Sequence, residues 1–222
     1  MCIRDSLAID RFLQDRLIGA RPDYGWLSEE TEDDGARLDH ERVFIVDPID
    51  GTRAFVDGGA AFSHVIAVAE KGVIVTAAVH LPVMSKTYDA HKGGGAILNG
   101  EPIRASFQPD LADADVLTAR ANLKPEHWDG DTPPIKASFR SSLAYRMCLV
   151  AEGRFDAMLT FRDAWEWDVA AGTLIVEEAA GIVTGSRGEA LVYNNAKPKL
   201  PGIIAGGPDI HSALLARRAG IS

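Results

Sequence analysis

Cysteine is nearly absent from this 222-residue chain: Cys2 and Cys148 stand far apart and in no metal-ligand spacing. That excludes a disulfide framework and makes a reducing, cytoplasmic compartment the expectation. Cys148 lies in an apolar stretch and reads as a small core residue. No apolar run approaches the ~18 residues of a membrane span. Met1–Ser6 lack the apolar stretch of a signal peptide. Positive charge is scarce too, with 23 Lys and Arg against 32 Asp and Glu and a formal net charge of −9. That balance argues against a nucleic-acid polymer as partner, and no membrane partner is expected. An anionic substrate would need local positive charge, from a metal or helix ends, against this overall field. The histidines show no paired ligand spacing, which leaves zinc catalysis unsupported. An alternating-acid calcium loop and a serine-hydrolase nucleophile elbow are both missing.

What is present suits a globular chain of one large domain or two small lobes, with 46% hydrophobic residues to build a core. Leu7, Phe12, Leu13, Leu17 and Ile18 recur at helical spacing, with Asp10, Arg11, Gln14 and Asp15 between them, and predict a helix over 7–18 ending near Gly19. Trp26-Leu27-Ser28 reads as a short strand that delivers Glu29 and Glu30, and Val43–Val46 as a buried strand. Residues 63–69 and 73–79 flank the turn Glu70-Lys71-Gly72 as a hairpin; a second pairs 86–90 with 96–98. Beyond about residue 112 strands alternate with helices: a strand at 115–118, an apolar helix over 143–152, a strand at 155–160, a helix over 168–179, a buried strand at 202–205 and a helix over 209–219. The expected organisation is an N-terminal lobe over 1–112, mainly antiparallel sheet with helix, and a C-terminal α/β lobe over 113–222.

The most informative segment is Asp47-Pro48-Ile49-Asp50-Gly51-Thr52, directly after the buried run 43–46. Two carboxylates three residues apart at the end of a buried strand are costly unless something positive lies between them. A hard divalent cation, taking carboxylate, carbonyl and water oxygens, meets that need. Gly51 and Thr52 would then open a turn or helix whose N–H groups hold an anion. Two more segments set acids at element boundaries: Glu29-Glu30, and Trp167-Asp168-Val169-Ala170-Ala171-Gly172. Taken singly, Glu29-Glu30 reads as a solvated acidic patch, Asp168 as a helix N-cap and Trp167 as core packing.

The hexapeptide resembles the signature of the inositol monophosphatase family, part of the lithium-sensitive, magnesium-dependent phosphomonoesterase superfamily. Residues 167–172 resemble its second signature and Ser28-Glu29-Glu30 its upstream acidic motif, all in the family's order. Gly95–Gly100 and Cys148–Gly153 also look like family segments. The resemblance spans nearly the whole chain and implies a layered α-β-α-β-α sugar-phosphatase-like fold of the α/β (α+β) class. It further implies about forty family residues and a helix ahead of the point where this chain begins. Asp5 stands where relatives carry an acid that helps to organise the metal site.

By that resemblance Glu29, Asp47 and the Ile49 carbonyl would hold one Mg²⁺, and Asp47, Asp50 and Asp168 a second, in a centre of two or three ions. Glu29, Asp47 and Thr52 would be the catalytic residues, with Thr52 and Glu29 orienting an attacking water. Gly51 and Thr52 would bind phosphate, and Glu30 would support the ligands from behind. The implied activity is hydrolysis of a small phosphorylated metabolite, inhibited by lithium. Glu166 before Trp167-Asp168, together with Ser141-Ser142-Leu143 and Arg146, resembles the 3'(2'),5'-bisphosphate nucleotidase branch, which is the expected activity. Inositol-1-monophosphatase or another sugar-alcohol phosphatase is the alternative. Phe161 stands seven residues before Asp168, where inositol-specific members carry Glu. A non-catalytic metal-binding homologue or inactive fragment is the alternative of another class. Family members often pair as homodimers.

Overall fold

A computed structural model describes residues 2–220 of the chain. The amphipathic N-terminal segment forms α1 (Cys2–Ala20). Seven strands then follow in chain order and build one sheet: β1 (Gly25–Ser28), β2 (Arg42–Asp50), β3 (Ser63–Glu70), β4 (Val73–Leu81), β5 (Lys86–His91), β6 (Ala96–Leu98) and β7 (Glu101–Ile103). Only β1 and β2 pair in parallel; the remaining neighbours are antiparallel. Between β2 and β3 lies the one-turn helix α2 (Thr52–Val56).

A five-stranded sheet occupies the second half. Its members are β8 (Asp115–Leu117), β9 (Lys136–Ser138), β10 (Ala157–Thr160), β12 (Ile182–Gly185) and β14 (Ile203–Gly206), in the order β12-β14-β10-β8-β9. A short ladder pairs β11 (Ala164–Trp165) with β13 (Lys199–Leu200). The helices of this half are α3 (Leu143–Ala151), α4 (Glu166–Glu178) and α5 (Pro208–Leu215).

Side-chain alternation along the strands fixes the layers, because successive residues point to opposite faces. Val43, Ile45, Val65, Ala67 and Val79 pack with buried residues of α3 and α4, whereas Phe44, Val46 and Val68 pack with Leu13, Leu17 and Ile18 of α1. In the second sheet Leu117, Met158, Ile203 and Ala205 face α3 and α4, while Val116, Leu159 and Ile204 face Ile210 and Leu214 of α5. The order is therefore α1, large sheet, α3 with α4, small sheet, α5: the expected α-β-α-β-α layering. The central helices are apolar nearly all round, as their burial between two sheets requires. They approach closely at Gly172, where a Cβ would lie 2.7 Å from Cβ and Sδ of Met147. Among the described residues no helix is long and apolar enough to cross a membrane.

Two boundaries differ from the sequence reading at points that matter for the site. The strand expected to end at Val46 continues to Asp50, and the helix expected to begin at Asp168 begins at Glu166. Asp168 is thus the third residue of α4 rather than its N-cap, and its Oδ2 accepts the Trp165 N–H at 3.3 Å.

Candidate metal centre and active site

The acidic hexapeptide owes its geometry to a β-bulge. Asp47 pairs with Val65 and Asp50 with Ser63, so Pro48 and Ile49 together oppose His64. Pro48 cannot donate to a ladder, and a bulge is one of the few places a paired strand tolerates it. The bulge breaks the strand's alternation between Asp47 and Asp50. Asp47 accepts the Ile49 N–H on Oδ1 at 2.9 Å, and the Thr52 hydroxyl donates to the Ile49 carbonyl at 3.0 Å. Gly51 then turns the chain at φ 87°, and a Cβ there would lie 2.8 Å from the Ala61 carbonyl oxygen. Only glycine meets both conditions without strain.

Asp50 points at the start of α3. Its Oδ2 accepts the Ser142 hydroxyl at 2.5 Å and the Ala144 N–H at 2.8 Å, while Ser142 caps the helix by accepting the Tyr145 N–H. Ser142 thus fixes one acid of the cluster as well as capping the helix. Asp168 arrives from α4 on the opposite side. Carboxylate oxygens of Asp47, Asp50 and Asp168 all lie within 4.8 Å of one another.

Glu29 follows β1 at the rim. Its residue is exposed and stands outside the tight group of three, yet its charge acts on Asp47. The loop is held from below by Asp10 of α1, which accepts the hydroxyls of Ser28 and, at 2.6 Å, Thr31. The acid of α1 that engages this segment is therefore Asp10, beyond Asp5 on the same helix. Glu30 is half-buried and donates its N–H to the Ser28 hydroxyl at 3.4 Å. Thr52 is exposed at the start of α2 and Gly51 half-buried before it. The structure thus brings Asp47, Asp50 and Asp168 together with Glu29 beside them, places Ile49, Gly51 and Thr52 on the adjoining turn, and leaves Glu30 alongside. Trp167 packs in the core, stacked on Trp165 with ring centroids 4.7 Å apart.

The electrostatics of the cluster are unfavourable as it stands. Asp47 is 2% exposed and Asp50 7%. Burial, then the charges of Asp50, Glu29 and Asp168, push the Asp47 carboxyl well above the ordinary carboxylate range. Burial and the Asp50 charge push Asp168 up to about 8. Glu29 is raised by desolvation and by Glu30. Asp50 is raised by burial, against the opposing bonds from Ser142 and the N–H groups of α3. Among the described residues no Lys or Arg forms a salt bridge with any of the four. Arg146 exerts a favourable charge on Asp50 alone, and a largely buried all-oxygen set with no paired cation fits a hard divalent cation.

Three features expected to mark a nucleotidase have framework roles instead. Glu166 is fully buried and accepts the backbone N–H groups of Asn194 and Asn195 at 2.7 and 2.9 Å. Arg146 is buried, donates to the Arg140 and Ser141 carbonyls, and covers the Phe139 ring. Ser142 is committed to Asp50 and to its helix. Phe161 packs against Trp128 and lies under the Arg218 guanidinium at 3.9 Å.

Two sheets enclosing paired helices, with acids from three distant segments meeting at the strand and helix ends, define a metal-assisted phosphomonoesterase architecture. The chain belongs to the inositol monophosphatase family, whose model matches residues 6–220. It is 35% identical over 220 residues to an inositol-1-monophosphatase of Rhizobium meliloti, covering 92% of this chain and 77% of that protein. It is 34% identical over 183 residues to a fructose-1,6-bisphosphatase/inositol-1-monophosphatase of Thermotoga maritima, covering 81% and 69% respectively. The crystal structure of the extragenic suppressor protein suhB from Bartonella henselae superposes with a TM-score of 0.81 at 28% identity, over 97% of this chain and 87% of that one. Members of the family are phosphoric monoester hydrolases, and the chain is an enzyme of that class.

Proposed function

We propose that the chain hydrolyses a sugar-alcohol phosphate monoester of the inositol-1-phosphate type, with Mg²⁺ as the cation. The observation that carries this reading is the convergence of Asp47, Asp50 and Asp168 in a chain whose relatives are named inositol-1-monophosphatases. The nucleotidase preference yields, because Glu166, Ser142 and Arg146 have framework partners that account for them. The first cation would be held by Glu29, Asp47 and the Ile49 carbonyl, the second by Asp47, Asp50 and Asp168. Bound there, the cations supply charge stabilisation for the attacking and leaving oxygens of an in-line displacement.

The remaining roles fall to the chain itself. Glu29 and Thr52 orient the attacking water, and Glu30 supports the ligands from behind. The N–H groups of Gly51 and Thr52 hold phosphate oxygens. Phe161, packed against Trp128 beneath Arg218, stands where inositol-specific relatives carry Glu, and this departure counts against strict inositol specificity.

A phosphate-release panel tests the reading: inositol-1-phosphate, fructose-1,6-bisphosphate, adenosine 3',5'-bisphosphate and histidinol phosphate, each with Mg²⁺ and with a chelator. The highest kcat/KM is expected for inositol-1-phosphate, lost on chelation. Preference for the adenosine bisphosphate would restore the nucleotidase reading, and no release from any of the four would favour a non-catalytic homologue.

A further inference from the structure

Glu166 and Arg37 form a buried tie that the proposed chemistry does not use. Arg37, on the short helical turn Ala36–Asp39, is 3% exposed, and Glu166, the first residue of α4, is fully buried. The Arg37 guanidinium grips Asp33 bidentately at 3.0 and 2.8 Å. Nη1 donates to the Asn194 side-chain carbonyl, and Nη2, besides its bond to Asp33, donates to the Asn195 backbone carbonyl at 2.8 Å. Asn194 and Asn195 in turn present their N–H groups to the two Glu166 oxygens, and Asn195 adds its amide Nδ2 at 2.7 Å. Asn194 adopts φ 60°, a left-handed conformation that aims two successive N–H groups at one carboxylate. The Glu166 N–H closes the loop by donating to the Pro198 carbonyl at 3.0 Å.

Each end of this tie leads directly to a metal-site arm. Arg37 lies against β1: a Cβ on Gly25 would be 3.0 Å from Cα and Cβ of Arg37. The same strand ends at Ser28, immediately before Glu29. Glu166 stands two residues before Asp168 on the first turn of α4. Buried, fully bonded charge networks fix a unique geometry more than they add stability. We propose that the Arg37–Asn194/Asn195–Glu166 tie is a positioning device that sets the separation of Glu29 and Asp168, and thereby the affinity of the centre for its cations. The proposal rests on the metal-centre reading above.

The test is calorimetric titration of Mg²⁺ into the full chain, with Arg37→Lys and Glu166→Gln as variants and Lys86→Met as control. Lys86 joins Glu152 at 2.8 Å in an ion pair remote from the acidic cluster in sequence and bonding, so its loss reports general destabilisation. Circular dichroism checks that each protein is folded. Both tie variants are expected to bind Mg²⁺ tenfold or more weakly, the cost typical of groups that orient metal ligands. Half-maximal activity should need correspondingly more Mg²⁺ while KM for the phosphate ester stays unchanged, and the control should bind as wild type does. Wild-type affinity in either folded tie variant, or equal weakening in the control, overturns the positioning role. A wild-type chain that takes up no Mg²⁺ removes the metal-centre reading itself. If Arg37→Lys does not fold, Glu166→Gln decides alone.

Discussion

Asp47 is the residue on which the site turns, being buried, central to the acidic cluster and proposed as the bridge between cations. Asp47→Asn keeps the acceptor for the Ile49 N–H but removes one charge from the cluster. Turnover should fall by on the order of a thousandfold, since metal-supplied charge stabilisation is worth several kcal/mol. Without divalent cations the same variant should melt higher than wild type, because folding no longer has to protonate or desolvate that carboxyl. Phosphate-release kinetics and a chelated thermal melt read the two effects, and a variant active in Mg²⁺ contradicts the assignment. Gly51 tests the turn. Gly51→Ala places a Cβ against the Ala61 carbonyl at φ 87°, a strain of about 1–3 kcal/mol. Thermal denaturation should show a melting temperature lower by several degrees, together with reduced turnover.

At the scale of elements, α3 and α4 carry the partners of Asp50 and the Asp168 side chain respectively, so their spacing sets the site. Gly172→Ala inserts a methyl 2.7 Å from Met147 and should cost about 1–3 kcal/mol by overpacking. An unchanged melting curve would mean the helices part without cost. The elements were legible where local pattern and tertiary environment agree. The hairpin of β3 and β4 is written as two near-continuous apolar runs flanking Lys71-Gly72, which both adopt positive φ as a two-residue turn demands. The end of β2 was illegible, because Pro48 reads as a terminator until β3 supplies the partner that lets pairing resume at Asp50. The start of α4 was displaced for a similar reason: Glu166 is stabilised by Asn194 and Asn195, far along the chain. Strands such as β9, β11 and β13 hold two or three residues and exist through their partners alone. The three acidic segments were visible as motifs, whereas the support from Asp10 and Ser142 was not. One sits among several polar residues of an amphipathic helix, and the other in a Ser-Ser pair; only the packing reveals what each bonds.

For the molecule as a whole, the layered fold brings like charges to one place, and its stability should respond to pH and cations together. The acidic carboxyls carry raised values in the folded chain, Asp168 up to about 8. Between the ordinary carboxylate range and about pH 8 the cation-free folded state therefore holds more protons than the unfolded state. Linkage then requires stability to fall as pH rises through that window. Cations displace those protons, so the rise in melting temperature on adding Mg²⁺ should be larger at pH 8 than at pH 5.5, as scanning calorimetry can show. An Mg²⁺ effect independent of pH would place the cation elsewhere. The most direct measurement is anomalous diffraction from crystals soaked in Mn²⁺, a hard-oxygen substitute for Mg²⁺ that scatters strongly. Peaks are expected between the carboxylates of Asp47, Asp50 and Asp168 and beside Glu29. Peaks confined to other acidic surfaces, with these four side chains free of density between them, would contradict the metal centre and the hydrolytic chemistry built on it.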